Sequence, residues 1–348
     1  MTAATDPRRA LVLGGGGVLG FAWMLGALSA LENVADFTAL DADLVVGTSA
    51  GSVASSLLGC GLGIDVIARH HQGISLPEDP LIDYDYQGTG DALPPRPGWR
   101  PASPRLLADG LRHPRTISPI VALTGLLPTG RGSLDTVRTL VGAIAEQAGF
   151  ASVWPEHPRP WIVAADYRTG RRVIFGRDDL AAARNGRPRI LRRAKLADAV
   201  VASCSIPGWY PPTIIDGIPY IDGGAVSNTS LDVLRNANVD EVFVFAPMAS
   251  TVADRPRSVA GRLERRVRAA ITRRIVADAG TLRAQGIKVC VVTPGPADLE
   301  AMGVNLMNPA RRVEVLDTAK QTAAEQITRQ LSAMHGWGGR RLGSVARG

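Results

Sequence analysis

The first sixty residues show one pattern twice: a short unbroken apolar run, a glycine-rich turn, then a longer stretch that is apolar on all sides. Residues 10–13 (Ala-Leu-Val-Leu) and 43–46 (Asp-Leu-Val-Val) predict buried strands. Residues 19–32 and 50–60 predict buried helices, because no polar face interrupts their apolar residues. Strand, turn and helix in repetition imply a parallel sheet with helical crossovers.

The same reading extends along the chain. Strands are predicted at 161–166 and 171–175, joined by a turn at Arg168-Thr169-Gly170, and again at 241–246 and 287–292. Helices are predicted at 134–147 with Ser133 as N-cap, at 195–203, at 258–285 and at about 310–334. Residues 206–213 read as a Pro-rich loop. The Pro- and Gly-rich stretch 76–104 has no apolar period and reads as irregular, and 105–130 as a short helical cap. No repeat and no composition break divides the chain. The expectation is a single α/β domain over 1–348, with a core at about 10–293, an insertion at about 76–130 and a mainly parallel sheet sandwiched between helices.

Composition changes this picture little. The chain has 348 residues, 45% hydrophobic and 20% charged, ordinary for a folded globular protein. Its net charge of +7 suits an anionic membrane surface, acidic lipids or nucleic acid without choosing among them. Cys60, Cys204 and Cys290 are far apart with no C-x-x-C spacing, which points to reduced core thiols in a cytoplasmic protein rather than zinc or disulfides. Ala10 to Leu31 is uncharged behind Arg8-Arg9, as a membrane span or export signal would be. Gly14 to Gly17 argue against both, since each glycine costs about 1 kcal/mol in a helix interior.

Three motifs carry chemistry. Gly47-Thr48-Ser49-Ala50-Gly51 is a G-x-S-x-G turn between strand and helix, where a serine is held at strained backbone angles with its hydroxyl exposed. Gly47 and Gly51 keep the neighbouring strand and helix clear of side chains. Gly14 to Gly17 can turn backbone N–H groups toward an anion. Gly15, Gly17 and Gly20 also satisfy the dinucleotide fingerprint, but the second strand does not end in the acidic residue that holds a ribose. Asp222-Gly223-Gly224 follows a short apolar run and lets a carboxylate at a strand end approach another loop.

In this order, and with Ala202-Ser203-Cys204-Ser205-Ile206-Pro207-Gly208-Trp209-Tyr210-Pro211-Pro212 before the aspartate, the motifs resemble the patatin-like phospholipase family over about residues 10–225, with a weaker tail to 293. The resemblance implies a patatin-like three-layer fold and hydrolysis of lipid carboxylic esters. It implies Ser49 as nucleophile, Asp222 as its catalytic partner in a dyad, and the backbone of Gly15, Gly16 and Gly17 as oxyanion hole. It implies no metal and no organic cofactor. The family usually carries Arg or Lys where this chain has Leu19, and an inactive lipid-binding or scaffold relative stays open on that ground. A normal aspartate is a weak base, so Asp222 should be partly desolvated.

The histidines offer no third member. Only His335 follows Asp222, near the chain's end, and His70 and His71 read as helix-surface residues. In the segment 261–275, Leu263, Val267, Ile271 and Ile275 repeat every four residues among six arginines. Such a helix can lie on the inner face of an anionic membrane, or pack its stripe on its own sheet. Without interleaved aromatics, no nucleic acid is expected as a partner.

Overall fold

A computed structural model describes residues 6–80, 103–112, 123–177, 189–191, 194–251 and 259–335. Its strands are β1 (Arg9–Leu13), β2 (Leu44–Thr48), β3 (Arg159–Asp166), β4 (Arg172–Phe175), β5 (Arg189–Leu191), β6 (Thr213–Ile215), β7 (Ile218–Asp222), β8 (Glu241–Phe245) and β9 (Lys288–Val292). The helices are α1 (Gly17–Val34), α2 (Ala50–Gly59), α3 (Ile64–His71), α4 (Pro104–Arg112), α5 (Asp135–Gln147), α6 (Leu196–Cys204), α7 (Val259–Ala284), α8 (Pro296–Met302) and α9 (Arg312–His335). The predicted strands and helices all form, with ends shifted by a few residues. Much of the expected insertion, at 81–102 and 113–122, lies outside the described residues; the segment read as a helical cap contributes α4.

The strands form one sheet in the order β5-β4-β3-β2-β1-β8-β9, with the β6–β7 hairpin paired to β3. β1–β2, β2–β3, β1–β8 and β8–β9 are parallel, whereas β4 and β7 run antiparallel to β3. Alternate residues of each strand feed two cores. Leu11, Leu13, Val45, Phe243 and Phe245 pack against α1, α2 and α9 on one face. Ala10, Val12, Val46, Val242 and Val244 pack against Ile275, Ala279 and Leu282 of α7 on the other. A sheet covered on both faces explains why its strands read as unbroken apolar runs. The architecture is the three-layer α/β arrangement expected.

Two departures have local causes. β5 is three residues inside an Arg-rich segment and shows no apolar period. β6 lies where the prolines at 211 and 212 suggested loop; the hairpin closes through Asp216 (φ 49°) and Gly217 (φ 72°). Both central residues of the turn have positive φ, which suits a D-G pair and matches the twist of the strands.

Candidate active site

The site is built at the carboxyl end of β2. β3 has two edges. β4 occupies one, pairing with Ile162 to Ala165. On the other edge β2 pairs up to Thr48 opposite Val163, and β7 continues the same lane with Asp222 opposite Ala164. The two strands therefore meet end to end, and the residue after Thr48 is Ser49. This is how positions 173 residues apart become neighbours.

Ser49 sits at φ 54° and ψ −122°, between β2 and the first turn of α2. A non-glycine residue there stores roughly 1–3 kcal/mol of backbone strain. Close packing enforces it: a Cβ on Gly51 would overlap the Leu13 carbonyl, and one on Gly47 would lie 2.6 Å from the Ser52 Cα. The Ser49 N–H donates to Ser203 Oγ at 2.9 Å, and Ser203 Oγ donates to the Val163 carbonyl at 2.6 Å. Ser203 thus ties the turn to β3. Sequence reasoning gave it no role, although it stands in the block before the aspartate.

Asp222 is buried, 5% exposed. Its backbone N–H donates to the Ser205 carbonyl at 2.9 Å, and its Oδ1 accepts from the Gly224 N–H at 2.7 Å. Burial is the main cause that raises its carboxyl to about 6; hydrogen bonds from the Ser49 side chain and the Gly224 N–H act in the opposite direction. The desolvation expected of this aspartate is present, and the Ser49 side chain is among the groups that act against it.

The glycine loop closes the third side. The Gly15 N–H donates to the Asn228 carbonyl at 3.1 Å, and the Asn228 side-chain amide returns a bond to the Gly15 carbonyl at 3.1 Å. Gly15 is therefore committed to holding the loop and has no N–H left for an oxyanion, a correction to the expected set of three donors. Gly16 and Gly17 have N–H groups with no acceptor among the described residues. Gly17 takes φ 64° as the loop turns into α1. Asn228 carried no motif that could have announced it. Leu19 is wholly buried in the core, with its N–H on the Leu306 carbonyl. The loop is braced from behind instead: a Cβ on Gly16 would lie 2.7 Å from Pro247 Cγ, and the buried Arg268 of α7 donates to the Pro247 carbonyl at 2.7 Å.

A cavity of about 120 Å³ opens onto Ser49. Phe21, Val53, Leu57, Leu134, Val137 and Leu140 give it a mainly apolar lining. His70 and His71 line it as well; His70 is half-buried, and His71 is buried rather than the helix-surface residue expected. α3 places Ile64, Ile67, Ala68 and His71 on its inner face. His71 lies edge-on to Phe21, with ring centres 5.3 Å apart. Burial first, then Arg312 and His70, lowers its pKa to about 3, which keeps the ring neutral at physiological pH. The thiol of Cys204 also faces this cavity, and burial pushes it up to about 12. The side chain of His335 lies outside the described residues. No group of three His, Cys, Asp or Glu side chains suited to a metal occurs among the described residues.

Comparison with solved structures finds distant likenesses. VipD from Legionella pneumophila matches at 14% identity and a TM-score of 0.41, over 94% of this chain and 68% of that one. The type III effector ExoU matches at 15% identity and a TM-score of 0.37, over 93% of this chain and 53% of that one. Human GIVD cytosolic phospholipase A2, in complex with methyl gamma-linolenyl fluorophosphonate, matches at 13% identity and a TM-score of 0.39, over 94% and 59%. The chain spans little more than half the length of the last two. The family model for patatin-like phospholipases matches residues 11–235, nearly two thirds of the chain, and takes in the glycine loop, Ser49, the Ser203 block and Asp222. The chain belongs to the patatin-like phospholipase family.

Proposed function

We propose that this protein is a serine acyl hydrolase that cleaves lipid carboxylic esters with a Ser49–Asp222 dyad. The observation that carries this reading is the shared lane on β3, which brings the strained serine hydroxyl to a buried carboxylate of raised basicity. Asp222 takes the hydroxyl proton as Ser49 Oγ bonds to the ester carbonyl carbon. The oxygen of the tetrahedral intermediate takes up the negative charge and meets the N–H groups of Gly16 and Gly17, with that of Ala50 at the start of α2 nearby. The alcohol leaves with the proton held by Asp222. Water then attacks the acyl-serine, giving its proton to Asp222, and that proton passes to Ser49 Oγ as the Oγ–acyl bond breaks and the fatty acid is released. The mainly apolar lining of the cavity in front of Ser49 suits an acyl chain.

The test is turnover of p-nitrophenyl esters and phospholipids by the wild type, Ser49→Ala and Asp222→Asn. Both variants should lose about a thousandfold or more in kcat while keeping the wild-type circular dichroism. A fluorophosphonate probe should label the wild type and spare Ser49→Ala. Full turnover by Ser49→Ala would end this reading, and a wild type inert to every ester and to the probe would leave a lipid-binding relative in its place.

A further inference from the structure

We infer that a polar hollow beside the Ser49 cavity receives the alcohol half of the substrate, and that this half is an uncharged polyol rather than a phosphate ester. This rests on the lipid-ester reading above. An ester has two ends, and the apolar lining of the Ser49 cavity suits the acyl end. The hollow has a volume of about 330 Å³, within the range of about 300–1,000 Å³ usual for small-molecule sites. It shares Ser133, Leu134 and Tyr210 with the acyl cavity, so the two stand side by side. Its lining includes the buried Ser205, whose carbonyl accepts the Asp222 N–H at 2.9 Å.

Two of its walls come from segments 132–138 and 210–214. They are tied together where they begin. The Gly132 N–H donates to the Trp209 carbonyl at 2.9 Å, and a Cβ on Gly132 would lie 2.8 Å from the Tyr210 ring.

The hydrogen-bonding capacity left in the hollow decides what it can hold. A hydroxyl has a single hydrogen to give. Ser205 Oγ gives its hydrogen to the Val201 carbonyl at 2.9 Å, so Thr213 Oγ1 is the donor in the 2.8 Å contact between the two hydroxyls. Thr213 is left with lone pairs to offer. Ser133 Oγ donates to Asp135 Oδ2 at 2.6 Å and accepts from the Asp135 N–H at 3.0 Å. The Asp135 carboxylate can only accept. Asp135 and Arg138 are the charged side chains that line the hollow among the described residues, and Arg138 is ion-paired with Asp198 in the first turn of α6. One cation therefore stands against two carboxylates. A phosphate diester brings acceptors and negative charge to a site that already has an excess of both. A polyol brings hydroxyls that donate to Asp135 and Thr213 and accept from the other N–H groups of Arg138, with its carbon chain against Pro211 and Pro212.

Soluble hexanoyl esters test this, because they share the acyl half and differ only in the alcohol: monohexanoylglycerol, hexanoyl lysophosphatidylcholine and p-nitrophenyl hexanoate. The wild type should favour hexanoylglycerol over the lysophosphatidylcholine by about tenfold or more in kcat/KM. The ratio of kcat/KM for hexanoylglycerol to that for the nitrophenyl ester should fall by about tenfold in Asp135→Asn and by about threefold or more in Thr213→Val, and Thr213→Ser should keep it. Asp135 is exposed, so asparagine there is compatible with the fold, and general damage would lower both rates and leave their ratio unmoved. Binding is read apart from catalysis by calorimetric titration of hexanoylglycerol into Ser49→Ala, where adding Asp135→Asn should weaken affinity by about tenfold. A preference for the lysophosphatidylcholine, or a ratio that neither Asp135→Asn nor Thr213→Val moves, would overturn the proposal. A wild type that hydrolyses none of these esters would strike the dyad instead. The titration would then decide the hollow by itself, and no binding, or affinity indifferent to Asp135, would overturn it.

Discussion

At the scale of single residues, the proposed reaction turns on the ionisation of Asp222. Its carboxyl titrates near 6 in the fold, against 3.8 unperturbed, because burial disfavours the charge. The folded state therefore holds this proton more tightly than the unfolded chain. Its contribution is fully present below pH about 4 and is lost as pH rises through about 6. Above pH 7 the charged group costs the fold on the order of 3 kcal/mol, as a carboxyl raised from 3.8 to about 6 implies. Two outcomes follow from one group. kcat/KM should rise with pH with an apparent pKa near 6, as the base loses its proton. Asp222→Asn should be inactive yet melt higher than wild type at pH 8, and the difference should shrink on acidification to pH 4. Thermal unfolding at the two pH values, beside a pH–rate profile, checks both; a gap that widens toward low pH would contradict this environment for Asp222. Serine, aspartate and elbow glycines were legible as residue types at meaningful spacings. Asn228 and Ser203 were not, because a single hydrogen bond across 213 or 154 residues leaves no local pattern.

At the scale of elements, the turn from β2 into α2 and the contact of α7 with the glycine loop make separate demands. Gly51 packs against the backbone of β1, not against a side chain that could swing away, since its missing Cβ would fall on the Leu13 carbonyl. Gly51→Ala should therefore cost well over the about 1–3 kcal/mol usual for overpacking and yield little folded protein, read by soluble expression and circular dichroism. Arg268 acts from the opposite face of the sheet. It is 1% exposed, paired with Glu264 at 2.7 Å and bonded to the carbonyl of Pro247, whose ring lies against Gly16. Arg268→Met breaks a buried pair and frees that carbonyl, so a loss of about 3 kcal/mol in stability is expected in a denaturant titration. Because Gly16 leans on the same proline, kcat should fall at temperatures where the variant is still folded. The parallel strands and long helices were legible because burial on both faces writes continuous apolar runs. The β6–β7 hairpin was not, since two prolines outweighed the Asp216-Gly217 signal, and the inward face of α3 was hidden by two adjacent histidines.

At the scale of the whole molecule, α1 and α9 explain a pattern that the sequence left double-edged. α1 is long and apolar enough to cross a membrane by composition alone, yet most of it is buried inside the protein. The sheet covers one side through Leu11, Leu13 and Phe245, and α9 joins the same core through Val315, Leu316, Ala319, Ala323 and Ile327. An apolar surface all round is what a helix between two layers requires. α9 lies beyond the 11–235 of the family match, yet it meets α1 at backbone distance. A Cβ on Gly26 would overlap the Leu316 carbonyl and lie 2.8 Å from the Ala319 Cβ. That contact predicts opposite signs for one substitution in two helices. Gly280→Ala, exposed on α7 with nothing within 4 Å of the new methyl, should gain about 0.5–1 kcal/mol from helix propensity. Gly26→Ala gains the same propensity but must push α9 outward along its length, with an expected net loss of about 3 kcal/mol or more. At about 2 °C per kcal/mol for a chain of this size, melting should rise by a degree or two in the first and fall by about 5 °C or more in the second. Equal and small shifts for both would mean that α9 is not seated on α1 in solution.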